Sequence, residues 1–430
     1  MQRIIVKNFG PLKDIDLEIK DYMIFLGPQA SGKSTLAKLI YFFREIELLS
    51  IAFFLKNFDN LTNQNVINSY NQFFNQRFYQ LFGDYTTLEY MVINFQFGNN
   101  EIIEKIDIVF DEINQLYLPV IDINTVIQNI GKKLDDTNLS NFKVTSGEKT
   151  IIELPKDKNS MTVIAGIFME SIYKQEKSTY FIPSNRAFIA KNYSPASTDV
   201  LSKEFYDLVG DIKNNFRKDY LAQIEEKKYF NGEIENITSI DYCLKLINSV
   251  LKGSFSVDKN EDKITSIDGH KINLRSAASG QQESIWVMNI IFHLLLENRD
   301  IKIIIEEPEA HLFPEAQKDI TYLISLLANQ EGNQVIITTH SHYILGALNI
   351  LINAHRIGQT NPEEVEKIVP RELWVDKNRI FAGFLENGII KDIYDDEAEM
   401  IKIQQLNAVA GEINKDFDRL LDLEFANENV

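Results

Sequence analysis

The stretch "LGPQASGKST", Leu26 to Thr35, constrains the fold of this chain more than any other segment. Gly27, Gly32, Lys33 and Ser34 fit G-x-x-x-x-G-K-[ST], whose glycines let backbone N–H groups curl around a phosphate with no Cβ in the way. The apolar run "YMIF" leads into it and "LAKLIYFF" follows at helical spacing. The order is therefore strand, glycine loop, helix N-terminus, as in an α/β nucleotide site. Lys33 is expected to reach the β- and γ-phosphates, Ser34 to ligate Mg²⁺, and the helix dipole to favour the anion. Pro28, Gln29, Ala30, Ser31 and Thr35 complete the loop around the phosphates.

The second half of the chain supplies carboxylates. "IKIIIEEPEAHLFPEAQ" opens on a β-branched apolar strand, Ile301 to Ile305, and ends on two acids. A buried parallel strand ending this way beside the phosphate loop assigns Glu306 to the metal and Glu307 to the general base, with Pro308 stopping the strand. A strand running into a solvated acidic turn is the plainer alternative. Some thirty residues on, "NQVIITTHSHYIL" carries a second buried strand, Val335 to Thr339, that delivers His340 to the same sheet edge. A histidine there can hydrogen-bond the γ-phosphate or the attacking water. His342 is its nearby decoy.

Between the glycine loop and these strands lies "RSAASGQQESIWVMNIIFHLLLE". Ile285, Val287, Met288, Ile291, Leu294 and Leu295 recur at three- and four-residue steps, so a helix begins near Ser279-Gly280. A serine with free N–H groups at a helix start is either an ordinary N-cap or an anion cup. A second cup is surplus in one chain unless two subunits meet.

The set "GPQASGKST", "ASGQQE", "IIIEEPEAHLFP" and "IITTHS" resembles the ABC-type ATPases of the RecF, SMC and OLD group. "EEPEAHL" with "SGQQE" looks most like the stand-alone AAA15/OLD-like ATPases, of which the ATPase of the phage anti-restriction-induced system is one comparable case. The resemblance implies an α/β ABC-type head: a P-loop parallel or mixed sheet, an antiparallel β part and a helical lobe. It implies that two heads sandwich two ATP molecules with Mg²⁺, and that Ser279, Gly280 and Gln282 close on ATP held by the partner's loop. "SGQQ" stands where transporters have S-G-G-Q, and Glu306 replaces the usual aspartate. In relatives the first strand borders the adenine, which makes Asn8 and Phe9 candidates, with plain packing as the alternative for Phe9. "STYFIPSNRAF" is similar to the "YIPAER" element of AAA15-like ATPases and takes the place of a Q-loop; Arg186 is there to reach phosphate, to couple the helical lobe to it, or to form a surface salt bridge.

The remaining segments divide as follows. Residues 1–50 form the start of the head with its P-loop, and 51–145 an aromatic-rich insertion with head strands. Residues 146–202 hold the Q-loop-like segment, 203–275 a helical lobe and hairpin, 276–350 the signature, acidic strand and switch histidine, and 351–430 a C-terminal strand and acidic helical tail. Tyr70, Phe73, Phe74, Phe78 and Leu81 step as an amphipathic helix, read as packing on the head or a dimer contact rather than base stacking. Strands are expected at "EYMVINFQF" and "EKIDIVFD", and hairpins around "NFGPL" and over "SFSVDKNEDKITSIDGHKINL". "YDDEAEM" reads as a charged helix start rather than a nuclease site, and the heptads of a long coiled coil are not sustained.

Lys plus Arg number 44 against 62 Asp plus Glu, a net charge of −18 that disfavours nonspecific adhesion to DNA or anionic lipid. The single Cys243 excludes an intramolecular disulfide and reads as a buried small hydrophobe. With neither a signal-peptide apolar region nor a membrane-spanning run, a cytoplasmic protein is expected. The leading expectation is an ATP-hydrolysing homodimer that gates a separately encoded effector, a nuclease or toxin, in bacterial anti-phage defence. The alternative is a RecF/SMC-like DNA-binding ATPase of repair or chromosome maintenance, with a transporter ATPase third.

Overall fold

The computed structural model describes residues 2–56, 64–83, 90–97, 103–111, 116–121, 144–145, 151–152, 178–190, 199–258, 261–402 and 415. The strands are β1 (Gln2–Phe9), β2 (Leu12–Ile19), β3 (Tyr22–Leu26), β4 (Val92–Gln96), β5 (Lys105–Asp111), β6 (Leu116–Ile121), β7 (Val144–Thr145), β8 (Ile151–Ile152), β9 (Ser178–Ile182), β10 (Gly253–Asp258), β11 (Glu261–Ser266), β12 (Lys271–Asn273), β13 (Ile301–Glu306), β14 (Gln334–Thr339), β15 (Ile380–Glu386), β16 (Ile389–Asp392), β17 (Tyr394–Asp395) and β18 (Met400–Ile401). The α-helices are α1 (Lys33–Lys56), α2 (Gln64–Phe82), α3 (Ala187–Ala190), α4 (Val200–Lys213), α5 (Tyr220–Asn231), α6 (Ile237–Leu251), α7 (Ser279–Glu297), α8 (Pro314–Asn329), α9 (His342–Gly358) and α10 (Pro362–Glu366).

An 11-stranded mixed sheet organises the chain, in the order β6-β5-β4-β1-β2-β16-β15-β3-β14-β13-β9. Strands β9, β13, β14, β3 and β15 run parallel, and antiparallel pairs extend the other side from β1 to β6. The central strands are the near-continuous apolar runs that a sheet covered on both faces requires. Alternation sorts them: Tyr22, Ile24, Leu26, Ile303 and Ile305 face one apolar cluster, and Met23, Phe25, Ile304 and Ile336 the other. The first cluster is closed by α4 to α9 and the second by α1, α2 and the β1–β2 hairpin. Each such buried side chain contributes about 1.5–3 kcal/mol.

The hairpin around "NFGPL" forms as expected, with Val6 opposite Ile15 and Phe9 opposite Leu12. Phe9 is fully buried, in edge contact with Phe82 at 5.3 Å, so it packs and does not face a ligand. "EYMVINFQF" and "EKIDIVFD" form β4 and β5 of the main sheet. On α2 the residues Tyr70, Phe74, Phe78 and Leu81 are buried, whereas Phe73 is 47% exposed and leaves the stripe. The hairpin after α6 gains a third strand, giving the sheet β10-β11-β12. Cys243 is buried on α6, and burial drives its thiol far above the ordinary range.

Strand β14 lies between β3 and the acidic strand β13, because the buried run Val335–Thr339 pairs with both. One reading is corrected. "YDDEAEM" does not start a helix. The Asp395 carboxylate accepts from the N–H groups of Glu397 and Ala398 and turns the chain back into β18. Asn349 of α9 then pins Ile401 through both amide bonds, 2.7 and 2.9 Å. The expected helix in the tail beyond 402 lies outside the described residues apart from 415. Among the described residues no helix is long and apolar enough to cross a membrane.

Candidate functional site

Parallel register brings three motif strands to one edge. Leu26 is paired with Thr339, and Thr338 with Glu306, so the glycine loop, His340 and the acidic pair leave β3, β14 and β13 at the same end. Crevices at the carboxyl ends of parallel strands are where α/β sheets hold ligands.

The loop after β3 turns on Gly27 at φ +153°, Ala30 at φ +61° and Gly32 at φ +104°. A Cβ on Gly27 would overlap the Leu385 carbonyl oxygen of β15, so the C-terminal strand sets the loop from behind. Pro28, Gln29, Ala30 and Ser34 are exposed, Ser31 and Thr35 half-buried, and Gly27, Gly32 and Lys33 buried. The Lys33 ammonium donates to the carbonyl oxygens of Gly27 (2.9 Å) and Pro28 (2.7 Å). Burial lowers its pKa, opposed by the charges of Glu307 and Glu309. The Ser31 hydroxyl oxygen is buried with no hydrogen-bond partner.

Glu306 is 5% exposed; its Oε2 accepts from the Ser184 N–H, and its Oε1 is buried with no partner. Glu307 sits at φ +43°, its N–H donating to the Thr338 carbonyl at 2.9 Å. That conformation strains a non-glycine residue by ~1–3 kcal/mol and persists only where the surroundings enforce it. The Glu307 Oε1 lies 3.4 Å from His340 Nε2. That hydrogen bond, with further help from Lys33 and Arg186, outweighs desolvation and holds the Glu307 carboxyl below the usual carboxylate range. His342 stands apart, exposed on the first turn of α9 with its ring tilted against that of Tyr343.

Glu309 was not picked out from the sequence, although it stands three residues after Glu306. It is buried, and its Oε1 accepts from the Thr339 hydroxyl (2.7 Å) and the His340 N–H (2.8 Å). It therefore ties the acidic turn to the histidine strand. Burial raises its carboxyl above the usual range, and its Oε2 has no partner.

The signature segment departs from the expectation in detail. Ala278 is the N-cap, so Ser279 is not: it is the exposed first residue of α7. Gly280 packs so closely on the loop after β13 that a Cβ would stand 2.6 Å from the His311 carbonyl oxygen. Gly280→Ala should therefore push α7 away from that loop; a melting temperature lowered by a few degrees is the expected result, where alanine in an open helix would raise it. Gln282 does not present its amide to a ligand. It is 9% exposed and donates to the Arg275 and Ala277 carbonyls, fixing the turn before α7. Gln281 accepts from the Ala278 N–H and donates to the Leu251 carbonyl.

Arg186 is neither a phosphate ligand nor a surface salt bridge: it is 1% exposed, with its guanidinium turned to the backbone of β13 and α7. Asn8, at φ +54°, donates its side-chain amide to the Tyr90 carbonyl, which ties the end of β1 to the segment entering β4.

The AAA ATPase domain family, AAA_15, matches residues 1–345. The chain belongs to that family. Its solved structural neighbours include an Smc head bound to the C-winged helix domain of ScpA, at 12% identity over 93% of this chain and 99% of that one, TM-score 0.41. The SMC head domain of Thermotoga maritima is 10% identical over 91% and 97%, TM-score 0.37. The dimeric bacterial ABC transporter cassette MJ0796 is 10% identical over 91% and 97%, TM-score 0.32. No match is found among curated proteins. The AAA_15 chain is thus an ATPase-domain protein with a mixed α/β fold built on one large sheet.

Proposed function

We propose that this AAA_15 protein binds Mg²⁺ and ATP on the Gly27–Thr35 loop, hydrolyses the γ-phosphate with Glu307 as general base, and does so between two copies of the chain. The register that sets the loop, Glu306–Glu307 and His340 on one strand-end edge carries this reading. The buried, unpartnered Oε1 of Glu306 and the exposed Ser34 hydroxyl suit a hard divalent cation, which would neutralise charge developing on the phosphate oxygens.

In this reading Lys33 exchanges the loop carbonyls for phosphate oxygens. Glu307 accepts a proton from the attacking water as its oxygen bonds to the γ-phosphorus and the bond to the ADP oxygen breaks. His340 orients Glu307 and the water from the neighbouring strand end. Ser279, exposed at the N-terminus of α7, supplies its hydroxyl and helix N–H groups to ATP held by the other subunit. Closure on ATP and release after hydrolysis would gate a separately encoded effector in the cytoplasm. The resemblance to AAA15/OLD-like ATPases supports a place in anti-phage defence.

Complementation tests the two-chain site. Lys33→Met and Ser279→Arg chains should each be inactive alone, and mixing them should restore roughly a quarter of wild-type turnover. Half of a random mixture is mixed dimers, each with one intact site formed by Lys33 of one chain and Ser279 of the other. A mixture as inactive as its parts would exclude the shared site.

A further inference from the structure

Among the buried polar groups near the site, Arg186 makes the widest set of contacts. Its Nη1 donates to the carbonyl oxygens of Glu306 (2.7 Å) and Pro183 (3.0 Å), and its Nη2 to that of Glu307 (3.0 Å). Its Nε donates to the Glu283 carbonyl at 2.8 Å, and the Glu283 carboxylate accepts from the Arg186 N–H at 2.8 Å and lies 3.6 Å from Nε. Glu283 is one helical turn beyond Ser279 on α7. One planar fork thus binds the first turns of α7, the loop after β9 and two successive peptides of the acidic turn.

The second of those peptides belongs to Glu307, at φ +43°. Its N–H is held by Thr338 and its carbonyl by Arg186, so both ends of a strained residue are clamped. If the fork is released, the residue can relax out of the left-handed region and its carboxylate is re-aimed. Lysine cannot substitute, because an ammonium on a flexible stem does not span four acceptors lying in one fork.

We propose that Arg186 is a positioning residue that couples the placement of Ser279 on α7 to the aim of the Glu307 carboxylate, so that a shift of the α7 N-terminus changes hydrolysis without changing nucleotide capture. This rests on the ATPase reading above. The coupling lies within one chain: α7, Glu283, Arg186, Glu307. Arg186 and Glu283 touch neither substrate nor metal in it.

The test compares wild type, Arg186→Lys, Glu283→Gln, Glu307→Gln and the Arg186→Lys/Glu307→Gln pair. Glu283→Gln guards against misfolding: it keeps the arginine and an acceptor for its N–H while removing the charge. Three quantities are read: affinity for a non-hydrolysable ATP analogue with Mg²⁺, single-turnover hydrolysis rate, and melting temperature. Arg186→Lys should slow hydrolysis roughly 10- to 100-fold, as misplacement of a reacting group by about 1 Å does, with analogue affinity within about threefold. Glu283→Gln should show the same split at smaller size. In the Glu307→Gln background, Arg186→Lys should cost nothing further, because it acts through a group already removed. Additive losses in that pair, unchanged hydrolysis in both single variants, or parallel losses of affinity, rate and melting temperature would each overturn the coupling. A wild-type chain that binds the analogue but never hydrolyses ATP would instead overturn the ATPase reading, and this inference with it.

Discussion

Glu307→Gln is expected to lower turnover by roughly 10³-fold while leaving ATP bound, the range lost when a general base is removed. The substitution is nearly isosteric. A glutamine keeps the N–H bond to Thr338 and an oxygen for His340 Nε2, so the loop, Lys33 and Glu306 stay in place. What it removes is the ability to take a proton from water. With hydrolysis blocked, ATP should hold two chains together, and sizing in ATP and Mg²⁺ should shift the variant to twice the monomer mass. Turnover within threefold of wild type would transfer the base role to another group.

The same residue predicts an acid limit. Its folded pKa is depressed from 4.5, chiefly by the His340 hydrogen bond. Its contribution to stability is therefore fully present above 4.5 and is lost as pH falls through the lower folded value. Wild type should lose more melting temperature below 4.5 than Glu307→Gln does, a comparison made by melting both across that range. Equal losses would show that the hydrogen bond is not made in solution.

Gly27→Ala is expected to damage fold and site together. The added methyl would meet the Leu385 carbonyl of β15, and φ +153° is a region L-residues avoid. Overpacking and backbone strain each cost about 1–3 kcal/mol, and the Leu385 carbonyl is backbone that cannot swing aside as a side-chain end would. The clash would force the loop and β15 apart, and the carbonyls that now receive Lys33 belong to that same loop. A melting temperature lower by roughly 5–10 °C and ATP affinity lower by at least about 100-fold are expected. Wild-type melting with wild-type affinity would mean that β15 does not buttress the loop.

The parts legible in advance were those whose chemistry is local. Glycine spacing around Lys33 and Ser34, a β-branched run ending on Glu306 and Glu307, and another ending before His340 each carry their meaning within about ten residues. Period and apolarity were enough for the hairpin at Phe9, the strands β4 and β5, and the face of α2 apart from Phe73. "YDDEAEM" misled because acids that favour a helix start equally suit the turn that Asp395 caps.

Composition and motif spacing alone determined a mixed α/β phosphate-loop chain with three chemistry-bearing strand ends, because residue type and near-neighbour spacing suffice for those. Only the tertiary structure decided that β14 lies between β3 and β13 and that β15 closes behind Gly27. It also decided that Gln282 turns inward, that Glu309 ties the acidic turn to His340, and that Arg186 is a buried strut. Those outcomes depend on which distant backbone atoms come within 3 Å, and spacing along the chain carries no such distance.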